Sequence, residues 1–302
     1  MILIGENIHI ISKQVKTALE NRDENFVKNL LKIQQNFDAV DLNVGLAKGK
    51  LDNIFEWLGS LVEEQNISFD SSNMDAIEEG LRLYGKSNSF INSTSADDEK
   101  LERLSSLAVK HNCNLIALAM SNQSGIPKSA DGRLELVFSI YEKCMAKGIE
   151  SDKLYFDPLV LPIKIDQSQA LESLNTIKMI KESFDPPVKT VIGLSNISNG
   201  VPKHLRPLIN QVFGVLAYGA GLDAAIVDAR DDELFRIFKM LENKKPQFDK
   251  DILYINLANM IECFEELENI VYDKNDKEQC AIVKIAGALL NRTIYSDSFA
   301  QI

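Results

Sequence analysis

Histidine and cysteine, the usual carriers of metal and nucleophilic chemistry, are scarce: three His and four Cys in 302 residues. Cys113, Cys144, Cys263 and Cys280 lie far apart, with no CxxC pair and no Cys/His cluster. Zinc sites ordinarily show closer ligand spacing, so the pattern reads as reduced thiols of a cytosolic protein and offers no metal site. Positive charge is in deficit too: 33 Lys and Arg stand against 44 Asp and Glu, a formal net charge of −11. Nucleic-acid and anionic-membrane surfaces want a basic face, which argues against both. A small anionic ligand needs only a few local cations and stays open. No run of about 18 apolar residues exists to make a transmembrane helix, and the apolar start MILIGENIHII follows no basic stretch of a secretory signal. The expectation is a soluble, cytoplasmic protein.

What the chain does contain is repetition. Short apolar runs, each followed by a polar turn and a longer helical pattern, occur at 2–4, 39–42, 67–69, 89–91, 115–120, 154–156, 188–194 and 224–227. The helical patterns between them cover about 15–36, 51–65, 74–84, 100–111, 133–147, 167–184, 207–218 and 233–241. Eight strand–helix units in a chain with 45% hydrophobic residues predict a (β/α)8 TIM barrel. An open doubly wound sheet is the competitor, but no Gly-rich dinucleotide fingerprint follows any run. From Asn243 to Asp251 the chain turns polar, with a Pro to stop the preceding helix. Two further helical stretches follow near 255–272 and 277–290, so residues 1–302 read as one domain with 243–302 as a helical extension.

In such a barrel the active site lies at the C-terminal ends of the strands. Those ends offer Asn7, His9, Asp41, Asn43, Asp70, Asn92, Ser121, Asn122, Asp157, Ser195, Asn196 and Asp228. Asp and Asn also favour turns and helix caps on their own account, which could explain any one of these positions. As a ring, they suit a flat heterocycle carrying both donors and acceptors, such as a pterin or a purine. A carboxylate accepts two parallel N–H bonds from an amidine-like edge, and an Asn both donates and accepts. Three carboxylates could also hold a divalent cation, but the interleaved amides speak against it.

A series of blocks then carries a resemblance. DLNVG (41–45), FDSSN (69–73), INSTS (91–95), SGIPK (124–128), YFDPLVLP (155–162), KTVIGLSNIS (189–198), RPLIN (206–210) and LLNRTIYSDSF (289–299) occur in this order. The sequence resembles the methyltetrahydrofolate:corrinoid/iron–sulfur-protein methyltransferase family over nearly its whole length. The resemblance implies a pterin-binding barrel, usually homodimeric, that moves a methyl group between tetrahydrofolate (as 5-methyltetrahydrofolate) and the cobalt of a corrinoid protein. By position it implies pterin binding by Asp70, Asn92 and Asp157, with Gly193 and Ser195 in the substrate loop and Arg206 placed to meet the substrate. Asn196 matches the family's Asn beside the methyl-bearing nitrogen and is the catalytic candidate. Asn199 stands where relatives have Gln. Strand 1 departs from the family's GERIN, with Asn7 and His9 in place of Arg and Asn.

The leaving group is a tertiary amine, so its nitrogen must gain positive character before reduced cobalt displaces the methyl. A strong acid would risk protonating that nucleophile, whereas the neutral amide of Asn196 can strengthen its hydrogen bond in the transition state. The family's DxHxxG-type loop for cobalamin is absent, so the corrinoid is expected on a partner protein. The reverse direction, charging tetrahydrofolate from a methyl-corrinoid protein, uses the same pocket and stays open. So does a non-catalytic folate-binding scaffold. A dihydropteroate synthase would need a basic residue in the strand 7 loop, where GLSN has none.

Overall fold

The computed structural model describes residues 1–297. Ser298 and Phe299 of the last sequence block, with the end of the expected 243–302 extension, lie outside the described residues. Eight parallel strands close a barrel in sequence order: β1 (Ile2–His9), β2 (Ala39–Gly45), β3 (Asn66–Ser71), β4 (Phe90–Thr94), β5 (Asn114–Leu118), β6 (Leu154–Asp157), β7 (Lys189–Gly193) and β8 (Ala224–Val227). Strand β1 pairs with β8 from Ile2↔Ala224 to Gly5↔Val227, which seals the sheet. Around it run α1 (Lys13–Glu20), α2 (Glu24–Ile33), α3 (Ile54–Leu61), α4 (Met74–Tyr84), α5 (Asp98–His111), α6 (Ala130–Ala146), α7 (Ser168–Ser183), α8 (Arg206–Gly219) and α9 (Asp232–Asn243), followed by α10 (Asp249–Glu262) and α11 (Lys277–Leu289). The expected TIM barrel is the fold observed.

Two helices differ from the sequence expectation. The single helix expected at 15–36 is broken into α1 and α2, because Arg22 takes a left-handed φ of 55°. Arg22 then donates to the carbonyls of Leu19 and Asp52, and the Asp23 side chain accepts from Phe26 N to cap α2. The helix expected at 255–272 instead begins at Asp249 and ends at Glu262. Asp251 causes the early start: its carboxylate accepts from the backbone N–H groups of Gln247 and Phe248 and from Arg236. Leu253, Tyr254, Leu257, Ala258 and Met260 of this helix are buried in the same cluster as α7, α8, α9 and α11. Burial of five such side chains makes α10 part of the outer core.

Alternation along the strands positions the site. Ile4, Ala39, Phe90, Ile116, Tyr155, Val191, Ala224 and Ile226 fill the barrel interior, with the Phe90 and Tyr155 rings edge to face at 5.2 Å. Side chains repeat every second residue on one face of a strand. The next inward layer is therefore Glu6 after Ile4, Asp41 after Ala39, Asn92 after Phe90, Asp157 after Tyr155, Gly193 after Val191 and Asp228 after Ile226. An apolar plug ends in a polar mouth.

Candidate active site

Strands β2, β3 and β4 deliver one cluster at this mouth. Ser68 Oγ donates to Asp41 Oδ1 at 2.5 Å and Asn92 Nδ2 donates to the same oxygen at 3.1 Å. Asn43 Nδ2 donates to Asp70 Oδ2 at 2.5 Å. Asp41 and Asp70 lie close enough for each carboxyl to act on the other. Burial, with the Asp41 charge alongside, holds Asp70 well above the usual carboxylate range. Two acids this close cannot both ionise cheaply, so the pair presents one donor and several acceptors.

Across the mouth stands Asp157, 8% exposed at the end of β6. Its Oδ1 accepts from Leu159 N at 2.7 Å, and burial pushes the carboxyl up to about 7 against the opposing pull of Arg133. Glu6 forms a third acidic point, which strand-end reading passes over. Burial pushes Glu6 up to about 7, with Asp41 and Asp228 adding to the effect, while Ser195 Oγ donates to its Oε1 at 2.5 Å. Its signal in the sequence is the alternation Ile2, Ile4, Glu6.

The turn after β7 is short and helical, Leu194 to Ser198. Asn196 and Asn199 are exposed there, and Asn199 Nδ2 donates to Asn196 Oδ1 at 3.2 Å. Gly193 has an ordinary φ of −78°, so backbone freedom does not explain it. A Cβ at 193 would instead stand 2.9 Å from Asn196 Nδ2. The missing side chain is the space in which that amide lies.

The structure joins Ser195 to Glu6, Asn196 to Asn199, and Asn92 to the Asp41–Asp70 pair. Arg206 is not tied to any mouth carboxylate by a hydrogen bond: half-buried at the start of α8, it donates from Nε to Val201 O at 2.9 Å. Asn7 is buried and ties the barrel seam, donating to Asp228 Oδ1 at 2.5 Å and accepting from Ala229 N at 2.9 Å. His9 pairs in register with Asn43 at the rim; burial, with Arg230 assisting, lowers its pKa while Asp228 opposes. The arrangement can accept from a two-donor edge at Asp157, donate and accept in plane at Asn92 and Asp70, and offer a neutral amide at Asn196.

The chain as a whole is similar to known proteins. The family model described as pterin binding enzyme matches residues 39–228, from the start of β2 to the residue after β8. The chain is 28% identical over 235 residues to the methylcorrinoid:tetrahydrofolate methyltransferase of Eubacterium limosum, covering 76% of this chain and 85% of that protein. It is 27% identical over 173 residues to the methionine synthase of Mycobacterium leprae, a match that spans 54% of this chain but only 14% of that much longer protein. Among solved structures, dihydropteroate synthase from Thermus thermophilus superposes with a TM-score of 0.56 at 16% identity, over 80% of this chain and 93% of that one. The enzyme from Yersinia pestis gives 0.53 at 16%, over the same shares of each chain; both likenesses speak for the fold. Because the matched segment contains seven of the eight strands and nearly all of the polar mouth, the chain belongs to the pterin-binding enzyme family.

Proposed function

We propose that this protein is a methyltransferase that moves a methyl group between tetrahydrofolate and the cobalt of a corrinoid carried by a partner protein. The observation that carries the reading is the turn after β7, where the group presented beside the buried carboxyls is the neutral amide of Asn196 and no basic side chain stands in Gly193–Asn196. A dihydropteroate synthase would need a cation there for its pyrophosphate leaving group; a methyl leaving a tertiary amine needs a hydrogen bond that strengthens in the transition state and a proton for the nitrogen it leaves. The E. limosum relative, similar over most of both chains, supports the same chemistry, and its name favours the direction from methyl-corrinoid to tetrahydrofolate. Microscopic reversibility assigns the same residues to either direction.

The residues divide the work. Asp157 takes the donor-rich amidine edge of the pterin, and Asp70 with Asn92 takes the neighbouring ring atoms. Gly193 leaves the approach to the turn open. Asn196 hydrogen-bonds at the nitrogen that bears the methyl, and Asn199 orients its amide. Ser195 in the turn and Glu6 on β1, which it contacts, hold and exchange the proton that this nitrogen gains or loses. The corrinoid, when docked, supplies a cobalt that accepts or donates the methyl.

The test uses the purified protein with free methylcobalamin and tetrahydrofolate, following loss of the methylcobalamin spectrum and formation of 5-methyltetrahydrofolate. Methyl exchange is expected, and Asn196→Ala is expected to lower turnover by about 10²-fold with little change in folate affinity. Tetrahydrofolate binding without exchange would leave a folate-binding scaffold instead, and equal turnover in the variant would remove Asn196 from the chemistry.

A further inference from the structure

Arg133, in the first turn of α6, heads the fully buried side chains by volume and has 0% exposure. A buried guanidinium ordinarily faces a carboxylate. This one donates to three neutral oxygens: Nε to Pro127 O at 2.9 Å, Nη1 to Ser173 Oγ at 3.0 Å and Nη2 to Gln169 Oε1 at 2.6 Å. Two acids act on it through space, Glu172 and Asp157. Glu172 is engaged elsewhere, accepting from Ala130 N at 2.7 Å.

A connected path leads from Arg133 to the mouth. Ser173 Oγ receives the Arg133 hydrogen, so its own proton must point onward, to Leu159 O at 3.2 Å or Gln169 O at 2.9 Å. Leu159 sits at φ +68°, a left-handed conformation that a leucine does not adopt without support. Its N–H is the group that donates to Asp157 Oδ1 at 2.7 Å. Arg133 also fixes the loop before α6 through Pro127, so it braces both loops that flank Asp157.

We propose that Arg133 is a positioning residue for the pterin site, fixing the Asp157 carboxylate through Ser173 and the Leu159 turn. The same guanidinium is the positive charge that acts on Asp157. The proposal rests on the pterin-binding role assigned to Asp157 above. Other charges around Asp157 leave Arg133 as the compensating one. Strand β5 carries no charged residue, and the one charge of β7, Lys189, stands at the opposite end of its strand. In the loop after β6, Lys164 pairs with Asp297, and Asp166 caps Ser168. In the loop before α6, Lys128 is exposed. On α6 and α7 the nearby acid is Glu172, already bound to Ala130 N.

The experiment measures tetrahydrofolate affinity by calorimetry from about pH 6 to about pH 8.5, around the region where a raised carboxyl titrates. The proteins are the parent, Ser173→Ala, Arg133→Met and Arg133→Lys, each first checked for folding by circular dichroism. In the parent, affinity rises as Asp157 ionises. Ser173→Ala keeps the charge and loses the brace, so affinity falls about tenfold at every pH with the midpoint in place. Arg133→Met moves the midpoint upward by about one pH unit, because loss of a nearby positive charge disfavours the carboxylate. Arg133→Lys returns the midpoint but not the full affinity. Folded variants with parental affinity and an unmoved midpoint overturn the proposal; if Arg133→Met does not fold, Ser173→Ala and Arg133→Lys decide it in the same way. Absence of binding in the parent overturns the pterin reading itself, and this proposal with it; binding in the parent with parental affinity in Ser173→Ala and Arg133→Lys overturns this proposal alone.

Discussion

Gly193 and Asn196 form a unit that a single methyl group can separate. The φ of −78° at Gly193 is open to alanine, and the added Cβ would press on the far end of the Asn196 side chain. Gly193→Ala is therefore expected to stay within about 1 kcal/mol of parental stability, while methyl exchange falls because the amide is turned aside. A denaturant melt and the exchange assay on one preparation decide this; a large stability loss would mean that the turn, not the amide, needs the glycine. Asp157→Asn is expected to weaken tetrahydrofolate binding measured by calorimetry, since an amide cannot accept two parallel N–H bonds. Asp157 is visible in the sequence because it directly follows an apolar run and opens a turn, and Asn196 because its block resembles a family pattern. The sequence hid Glu6, which lies inside GENIH beside two other polar residues and is selected only by the inward alternation from Ile4. It hid Arg133 more completely, because an arginine on an amphipathic helix ordinarily extends its charge to water.

Helices show the same limit one scale up. NKKPQFDKD has the composition of a solvated linker, and its acids carry no mark of which one is buried. Asp251 turns out to be 0% exposed, with two Arg236 nitrogens on its carboxylate at 2.6 and 2.9 Å. That contact is made across the α9–α10 turn, between residues whose pairing no local periodicity encodes. Asp251→Ala would remove two hydrogen bonds from Arg236, which keeps its pair with Glu233, and would uncap α10; a loss of about 1–3 kcal/mol is expected, read from urea melts. The Arg236 pair and two backbone N–H bonds outweigh the burial that opposes them and hold the Asp251 carboxyl below its usual range. This contribution is present above about pH 4 and fades as pH falls through the depressed value. Where α8 meets α10, a Cβ at Gly219 would run into the carbonyl of Ala258. Gly219→Ala is therefore expected to cost at least about 1–3 kcal/mol through a shift of that helix. The strand–helix alternation of the barrel, by contrast, was plain in the sequence, because each buried strand must be apolar and each turn polar.

For the whole molecule, the mouth adds a pH dependence of the opposite sign to that of Asp251. Glu6 and Asp157 both titrate near 7 in the folded protein and near 4 when unfolded. Between these values the unfolded chain is ionised while the folded chain still holds its protons. Folding is then progressively disfavoured as pH rises from about 4 to about 7, and the loss is complete above that window. The Glu6 share is of order 1–3 kcal/mol once solvent at the mouth is allowed for. Glu6→Gln, which can still accept from Ser195, should raise the melting temperature at pH 8 more than at pH 5; an equal rise at both would mean that the carboxyl is not the cause.

The seal between β1 and β8 has a consequence for the newborn chain. Asn7 meets Asp228, and Glu6 meets Ser195, across 221 and 189 positions of sequence. Pairings this distant cannot form while the later partner is still inside the ribosome. Asp41, Asp70, Asn92 and Asp157 all emerge before the last strand, yet the bowl they line stays open on one side until Ala224–Val227 reaches Ile2–Gly5. A ligand that needs the whole polar mouth therefore meets it only on the finished polypeptide, and a chain stopped before β8 should not bind it.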